Sequence, residues 1–378
     1  MNNNEYHICS RCILDTENAP DIYFDEDGVC NYCHDYDKKV AVQGYKPGES
    51  EKKLQAIVDK MKKDGRSKEY DCVLGISGGV DSAYMAYYAT KVLHLRILAV
   101  HVDAGWNSDT AVENIKKMCS ALKMDLHTVV VDWPTMKELQ RAFMFSGLKN
   151  LDQPQDMAFI AAVYHYAIQS KIKYILNGDN LATEGILPPN MTGGMTDWTF
   201  IKDVYKKHGR GKISLKKYPH LNWLETINNY KNIFGNFQRV TLLNYIPYSK
   251  KEAIETLKRE FDWNYYGGKH YESRFTKFFQ GYYQPQKFHF DKRRAHLSSL
   301  VVGGEMTRDE ALKAIEDTSE YPAEQMLEDK EYILKKLDIS DEEWDEIMKA
   351  PSKDFSDYRS RKSTPVFLKQ IYNKVHRA

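Results

Sequence analysis

The sequence predicts an α/β fold: a parallel sheet preceded by a small N-terminal module and followed by a mostly helical region. Three observations predict it. Between residues 70 and 180, short apolar runs alternate with helically spaced segments. Four of the six cysteines lie in the first 33 residues, in two pairs. Beyond residue 249 the apolar spacing is helical almost throughout. A length of 378 residues suits two or three domains, with boundaries expected at 1–45, 46–205 and 206–378.

Composition narrows the possibilities. Lys and Arg number 54 against 53 Asp and Glu, a net charge of +1. That balance lacks the footprint of a nucleic-acid binder. The opening residues show no basic stretch leading into an apolar run, and no apolar run approaches a membrane span. A cytoplasmic protein with reduced thiols is expected, with no nucleic-acid or membrane partner.

The elements follow in order. Cys9-x2-Cys12 and Cys30-x2-Cys33 have the spacing of a ribbon whose four thiolates hold zinc tetrahedrally. Such a site is closed and structural. Residues 35–50 are polar and contain Gly44, Pro47 and Gly48, which suits a linker. A helix is expected over 51–63. Strands are expected at 71–76, 95–102, 126–131 and 174–177, separated by helices at 80–93, 109–122, 135–146 and 156–170. Such alternation implies right-handed crossovers and a covered parallel sheet. Residues 186–240 read as irregular. Helices are expected at 249–260, 271–282, 291–301, 306–317, 321–337 and 341–349, the last capped by Ser340 or Asp341.

Ser77-Gly78-Gly79-Val80-Asp81-Ser82 lies between a strand and a helix. Its glycines allow close backbone approach, and the helix N-terminus beyond them suits phosphate. Neither a Walker lysine nor the dinucleotide glycine pattern is present. The loop resembles the pyrophosphate (PP) loop of the ATP pyrophosphatase superfamily, which includes GMP synthetase and asparagine synthetase. The resemblance implies an adenine-nucleotide hydrolase-like domain that cleaves ATP between its α and β phosphates. It implies contact with the adenine edge near Val102 and Asp103, and a second acidic motif at Gly178-Asp179 through Glu184. Asp81, Asp179 and Glu184 are carboxylates suited to Mg²⁺.

Two further blocks mix bases, acids, histidines and aromatics, which suits an anionic, sugar-bearing substrate. They are Lys269-His270-Tyr271-Glu272-Ser273-Arg274 and Asp291-Lys292-Arg293-Arg294-Ala295-His296. With the cysteine pairs and the loop, they resemble the N-acetyl sugar amidotransferases of surface-polysaccharide and sialic-acid-like sugar synthesis. That resemblance implies conversion of an acetamido group to an acetamidino group on a nucleotide-linked sugar. Asp81, Lys269, His270, Glu272 and Arg274 are the candidates for stabilising charge or moving protons. Lys292, Arg293, Arg294 and His296 are the candidates for holding substrate.

Ammonia for such a reaction commonly comes from glutamine, which requires a cysteine nucleophile. Cys72 falls in an apolar strand, Cys119 falls mid-helix, and the other four are assigned to metal. A separate glutaminase subunit and an ammonia-channelling partner are therefore expected. A tRNA 2-thiolation enzyme shares the ribbon and loop, but it generally needs further cysteines to carry sulfur. A non-catalytic ribbon protein would have no use for the loop acids.

Overall fold

The structure is a computed structural model and describes residues 6–192, 197–211, 213–235 and 237–361. Strands β1 (Cys72–Gly75), β2 (Ile97–Asp103), β3 (Asp125–Val130), β4 (Tyr174–Leu176) and β5 (Gln238–Val240) form one parallel sheet in the order β3-β2-β1-β4-β5. Val73 at the centre pairs with Leu98 on one side and Ile175 on the other. The chain builds outward from β1 to β3, then returns across β1 to place β4. That reversal opens a crevice outside the carboxyl ends of β1 and β4.

The helices are α1 (Asn31–Gln43), α2 (Glu49–Asp64), α3 (Val80–Tyr87), α4 (Asp109–Leu122), α5 (Trp133–Met144), α6 (Gln153–Gln169), α7 (Leu181–Glu184), α8 (Pro189–Thr192) and α9 (Trp198–His208). There follow α10 (Trp223–Lys231), α11 (Lys250–Phe261), α12 (Arg274–Phe278), α13 (Gln284–Phe288), α14 (Arg293–Val302), α15 (Arg308–Glu316), α16 (Ala323–Leu337) and α17 (Asp341–Lys349). A π-helical turn at Phe279–Tyr283 joins α12 to α13.

Alternation along β1 sends Val73 to one core and Cys72 and Leu74 to the other. The first core is closed by α5, α6 and α9 together with Leu337 and Trp344 from α16 and α17. The second is closed by α2, α3, α4 and α11. Burial on both faces explains why β1 reads as a continuous apolar run. A third, smaller core joins the four N-terminal cysteines to Ile186, Phe290 and Ala295.

Three expectations are corrected. The linker expected at 35–50 is helical as far as Gln43. Cys33, Tyr36 and Val40 share one face of α1 that packs in the ribbon core, so one stripe of the helix is buried despite its polar composition. Residues 186–240 contain α9, α10 and β5. With three residues, β5 is too short to show an alternating pattern. The boundary near 205 cuts through the sheet, because β5 pairs in parallel with β4 and α11 packs in the core beneath β1. Residues 362–378 of the expected third domain lie outside the described residues. At α17, Ser340 is the cap, its hydroxyl accepting from the Glu343 N–H. Among the described residues, no helix is long and apolar enough to cross a membrane.

Candidate active site

The loop leaving β1 is held in a conformation that its glycines require. Gly78 has φ of +84°, and a Cβ there would lie 2.7 Å from the carbonyl oxygen of Ala111 in α4. Gly79 caps α3, and a Cβ on it would crowd Ser77, Tyr266 and Glu272 at 3.2 Å each. Ser77 Oγ accepts from the Gly79 N–H at 3.2 Å, and Ser82 Oγ donates to the Gly79 carbonyl at 3.1 Å. The Val80 N–H donates to the Tyr266 hydroxyl at 3.1 Å.

This turn faces a cavity of about 310 Å³ whose walls include Gly79, Asp81, Asp179, Glu184, Lys269 and Glu272. It occupies the crevice where strand order reverses. Lys269 Nζ stands 2.9 Å from Glu184 Oε1 and 3.3 Å from Asp81 Oδ2, and donates to Thr183 Oγ1 at 3.0 Å. Its side chain is only 11% exposed. Tyr248 donates its hydroxyl to the other Asp81 oxygen. Burial works against the Asp81 carboxylate, but Lys269 and the Tyr248 hydrogen bond hold its pKa below the ordinary range. Burial likewise works against the Lys269 ammonium, and Glu184 and Asp81 raise its pKa nonetheless. Asp81 and Glu184 thus converge on one cation position. That geometry fits the divalent ion such loops use, with Asp179 available on the same wall.

A second cavity, about 350 Å³, adjoins the first outside the end of β2. Its walls include His101, Val102, Asp152, Asp156, Glu272 and Lys292. The Ile76 carbonyl, 2.9 Å from His101 Nδ1, places the ring proton there and leaves Nε2 to accept from Asn107 at 3.0 Å. Asp156 borders both cavities. Crowding by protein pushes its carboxyl up to about 6, opposed by Lys292 and His270. Thr276 Oγ1 donates to both Asp152 oxygens, at 3.1 and 3.0 Å. Burial and the neighbouring Asp156 push that carboxyl well above its ordinary range. Glu272 Oε2 is buried without a hydrogen-bond partner among the described residues.

A third cavity, about 290 Å³, lies on the far side of Lys269, within the C-terminal region. Its walls include Lys250, Tyr265, Lys269, Tyr271, Lys292 and His296. The π turn contributes Gln280 and Gly281.

Most of the predicted residues meet here. Ser77, Gly79, Val80, Asp81, Ser82, Gly178, Asp179, Glu184, Lys269, His270 and Glu272 line the loop cavity. Val102 lines the second, and Lys292 and His296 the third. His270 takes a left-handed φ of +65°, an uncommon conformation for a residue with a side chain. Asp103 does not face these cavities; it accepts from the Gly105 N–H at 2.8 Å and so braces its own turn. Three arginines are corrected. Arg274 pairs with Asp329 and stacks over Tyr332 at 3.8 Å, on α16. Arg293 borders the third cavity, but its guanidinium is taken by Asp291 and by the carbonyls of Ile315 and Asp317. Arg294 reaches the ribbon, binding the Ile13 carbonyl and Asp15, each at 3.0 Å.

Tyr248, Lys250, Tyr266, Asp152 and Asp156 were not anticipated. Asp152 and Asp156 stand four apart at the start of α6, so their spacing was a readable sign of a shared face. Nothing local marks Tyr248 or Tyr266, which tertiary packing brings to the loop.

The four N-terminal cysteines are fully buried, and their sulfurs lie within 4.8 Å of one another. Three of the pairs measure 3.7, 3.8 and 3.9 Å. A tetrahedron with metal–sulfur bonds of ~2.3 Å has edges of about 3.8 Å, so the set fits zinc. The N–H groups of Cys12 and Cys30 point at Cys9 Sγ, at 3.4 and 3.3 Å, as suits a thiolate. His34 is turned away to Asp25. Cys72 and Cys119 are buried; desolvation raises both thiols, that of Cys119 to about 11.

Residues 50–213 match the NAD synthase family, and residues 272–375 match the family described as LPS biosynthesis protein WbpG-like, C-terminal domain. No curated protein matches the chain. Among solved structures, an NH3-dependent NAD synthetase from Campylobacter jejuni is 15% identical, covering 56% of this chain and 93% of its own, with a TM-score of 0.28. NMN synthetase from Francisella tularensis is 17% identical, covering 58% and 94%, with a TM-score of 0.29. NAD+ synthetase from Burkholderia pseudomallei is also 17% identical, covering 77% and 98%, with a TM-score of 0.29. At those scores the likenesses to solved structures carry no argument. The two family matches place the glycine loop in an NAD synthase-type domain and the segment that completes the cavities in a WbpG-like C-terminal domain, a pairing consistent with a PP-loop ATP pyrophosphatase of polysaccharide biosynthesis.

Proposed function

We propose that this ATP-using amidotransferase-type enzyme converts the acetamido group of a nucleotide-linked N-acetyl sugar into an acetamidino group, forming AMP and pyrophosphate. An amide carbonyl is a poor electrophile and its oxygen a poor leaving group. Attack by that oxygen on the α-phosphorus of ATP breaks the bond to pyrophosphate and leaves the oxygen esterified to AMP. Ammonia then adds to the carbon, the C–O bond breaks to release AMP, and a proton is lost. The observation that carries the reading is Lys269, a residue of the C-terminal region, held between Asp81 and Glu184 above the glycine loop. One cation thereby borders both the phosphate loop and a separate cavity suited to a second substrate.

The turn at Gly78 and Gly79 would cradle the departing pyrophosphate. A divalent ion on Asp81, Asp179 and Glu184 would offset phosphate charge. Lys269 then either shares those carboxylates with it or turns its ammonium to the phosphates. Glu272 and His270 stand where a proton on ammonia or on the acetamido nitrogen could be taken up. Ammonia would come from a separate glutaminase through a channelling partner; the two cysteines outside the ribbon, buried and poorly ionised, supply no nucleophile for glutamine. The test is incubation with ATP, Mg²⁺, ammonium and UDP- or CMP-linked N-acetyl sugars. AMP and a sugar mass reflecting exchange of O for NH are expected. AMP formed only with tRNA and a sulfur donor would overturn the proposal.

A further inference from the structure

One short segment puts its own side chains where a nucleotide and its cation would sit. Residues 265–272 lie across the glycine loop as a strap, with Tyr266, Lys269 and Glu272 all lining the loop cavity. Both ends of the strap are tied down. The Asn264 N–H donates to Asn114 Oδ1 at 2.9 Å, and the Asn264 carbonyl accepts from Asn114 Nδ2 at 2.8 Å, on α4. At the other end, the Glu272 carbonyl accepts from the Ser108 N–H, and the Arg274 N–H donates to the Trp106 carbonyl, each at 2.8 Å. Between these anchors stand Gly267, with φ of +95°, and Gly268. Glycine turns at low steric cost, so bending of the strap concentrates there.

Each contact fills a ligand position. Val80 opens α3, and its N–H is one of the unpaired donors that a helix N-terminus offers to phosphate. The Tyr266 hydroxyl takes it, at 3.1 Å. Asp81, Thr183 and Glu184 present oxygens of the kind a divalent ion prefers. The Lys269 ammonium takes all three. Glu272 Oε1 lies 3.2 Å from where a Cβ on Gly79 would stand, so a carboxylate overhangs the loop meant for an anion. Its other oxygen is buried without a hydrogen-bond partner among the described residues. A hydroxyl thus stands for a phosphate oxygen and an ammonium for a divalent ion, while an acid sits where phosphate would be repelled.

We infer that the 265–272 strap is an autoinhibitory lid: it occupies the phosphate and cation positions of the free protein and withdraws when a metal–nucleotide complex enters the loop. The inference rests on the loop's use of ATP, as in the proposed function, and not on the identity of the second substrate. It also decides what Lys269 does on binding: the ammonium leaves Asp81 and Glu184 rather than sharing them.

The sign of a mutational effect tests it. A side chain that holds a ligand weakens binding when removed; one that stands in the ligand's place strengthens it. Tyr266→Phe keeps the ring against Trp263 and Tyr265 and removes only the hydroxyl. It should tighten magnesium pyrophosphate, measured by calorimetry on the full chain, by about threefold to tenfold. Lys269→Met should tighten Mn²⁺ without nucleotide, measured by electron paramagnetic resonance, by about tenfold or more. In the wild type, hydrogen exchange across 265–272 should accelerate when Mg²⁺ and a non-hydrolysable ATP analogue are added, while residues 77–82 become protected. Unchanged or weaker binding in either variant, or slower exchange across the strap, would overturn the inference. If the wild type nonetheless forms AMP with a nucleotide sugar, the proposed function stands without it. Tighter binding in both variants, with no turnover of any nucleotide sugar, would leave the lid standing and sink the sugar reading.

Discussion

Gly78 shows how tightly a single position is set. Its φ of +84° and the Ala111 carbonyl 2.7 Å from a would-be Cβ leave no room for a side chain. Gly78→Ala should therefore disrupt the loop, costing about 1–3 kcal/mol of stability and most ATP binding. Melting and binding of an ATP analogue check both parts. His296 makes a pH prediction. Burial, together with His270, Lys269, Lys292 and Lys250, pushes its pKa well below the ordinary histidine value. Below about pH 6.5 the unfolded chain takes up a proton that the folded one refuses, so stability falls as pH falls. Between about pH 7.5 and 5.5, the wild type should lose more melting temperature than His296→Gln. Equal losses would refute the assignment.

At the scale of elements, α14 has two jobs. Lys292, at its cap, and His296 serve the cavity. Arg294 and Ser298 hold the ribbon, the latter accepting from the Ile13 N–H at 3.2 Å. Ser299 Oγ bridges the Ile186 N–H and carbonyl, at 3.0 and 3.1 Å, just beyond α7 and Glu184. Arg308, from α15, donates to the carbonyls of Cys9 and Cys12, the first pair of the cysteine cluster, at 3.0 Å. The ribbon therefore braces the helix that carries Lys292 and His296. Arg308→Ala should cost about 1.5–3 kcal/mol, because two carbonyls lose a charged donor. It should also loosen zinc and raise KM for the sugar nucleotide more than KM for ATP. Zinc content, melting and the two KM values check this; an equal rise in both would refute the bracing role.

At the scale of the whole molecule, the candidate active site is assembled from the loops at the ends of the strands and from segments between Lys250 and Glu320. Burial raises the Cys119 thiol to about 11 and encloses Cys72, which argues against either as a glutaminase nucleophile. The purified chain is accordingly expected to release no glutamate from glutamine, while turning over with ammonium; a glutamate assay decides it. Much of this assembly was legible in advance. Two glycines between an apolar run and a helix mark a phosphate loop, because few other backbones permit that turn. Two cysteine pairs mark a metal, because the spacing itself sets the ligand geometry. Lys292 and Arg294 show the limit. They are bases two residues apart in one basic run, yet one lines the cavity and the other clamps the ribbon. No local property separates them.

The sequence by itself determined the parallel sheet to β4, the loop, the cysteine cluster and the helical C-terminal region. Each depends on periodicity or on residues close together in the chain. Only the tertiary structure decided that β5 completes the sheet, that Lys269 crosses from the C-terminal region to Asp81 and Glu184, and that Arg274, Arg293 and Arg294 are structural. Those outcomes depend on which distant surfaces meet. A charged side chain takes the partner that best offsets its desolvation, and that partner is known only once the fold has brought it within reach.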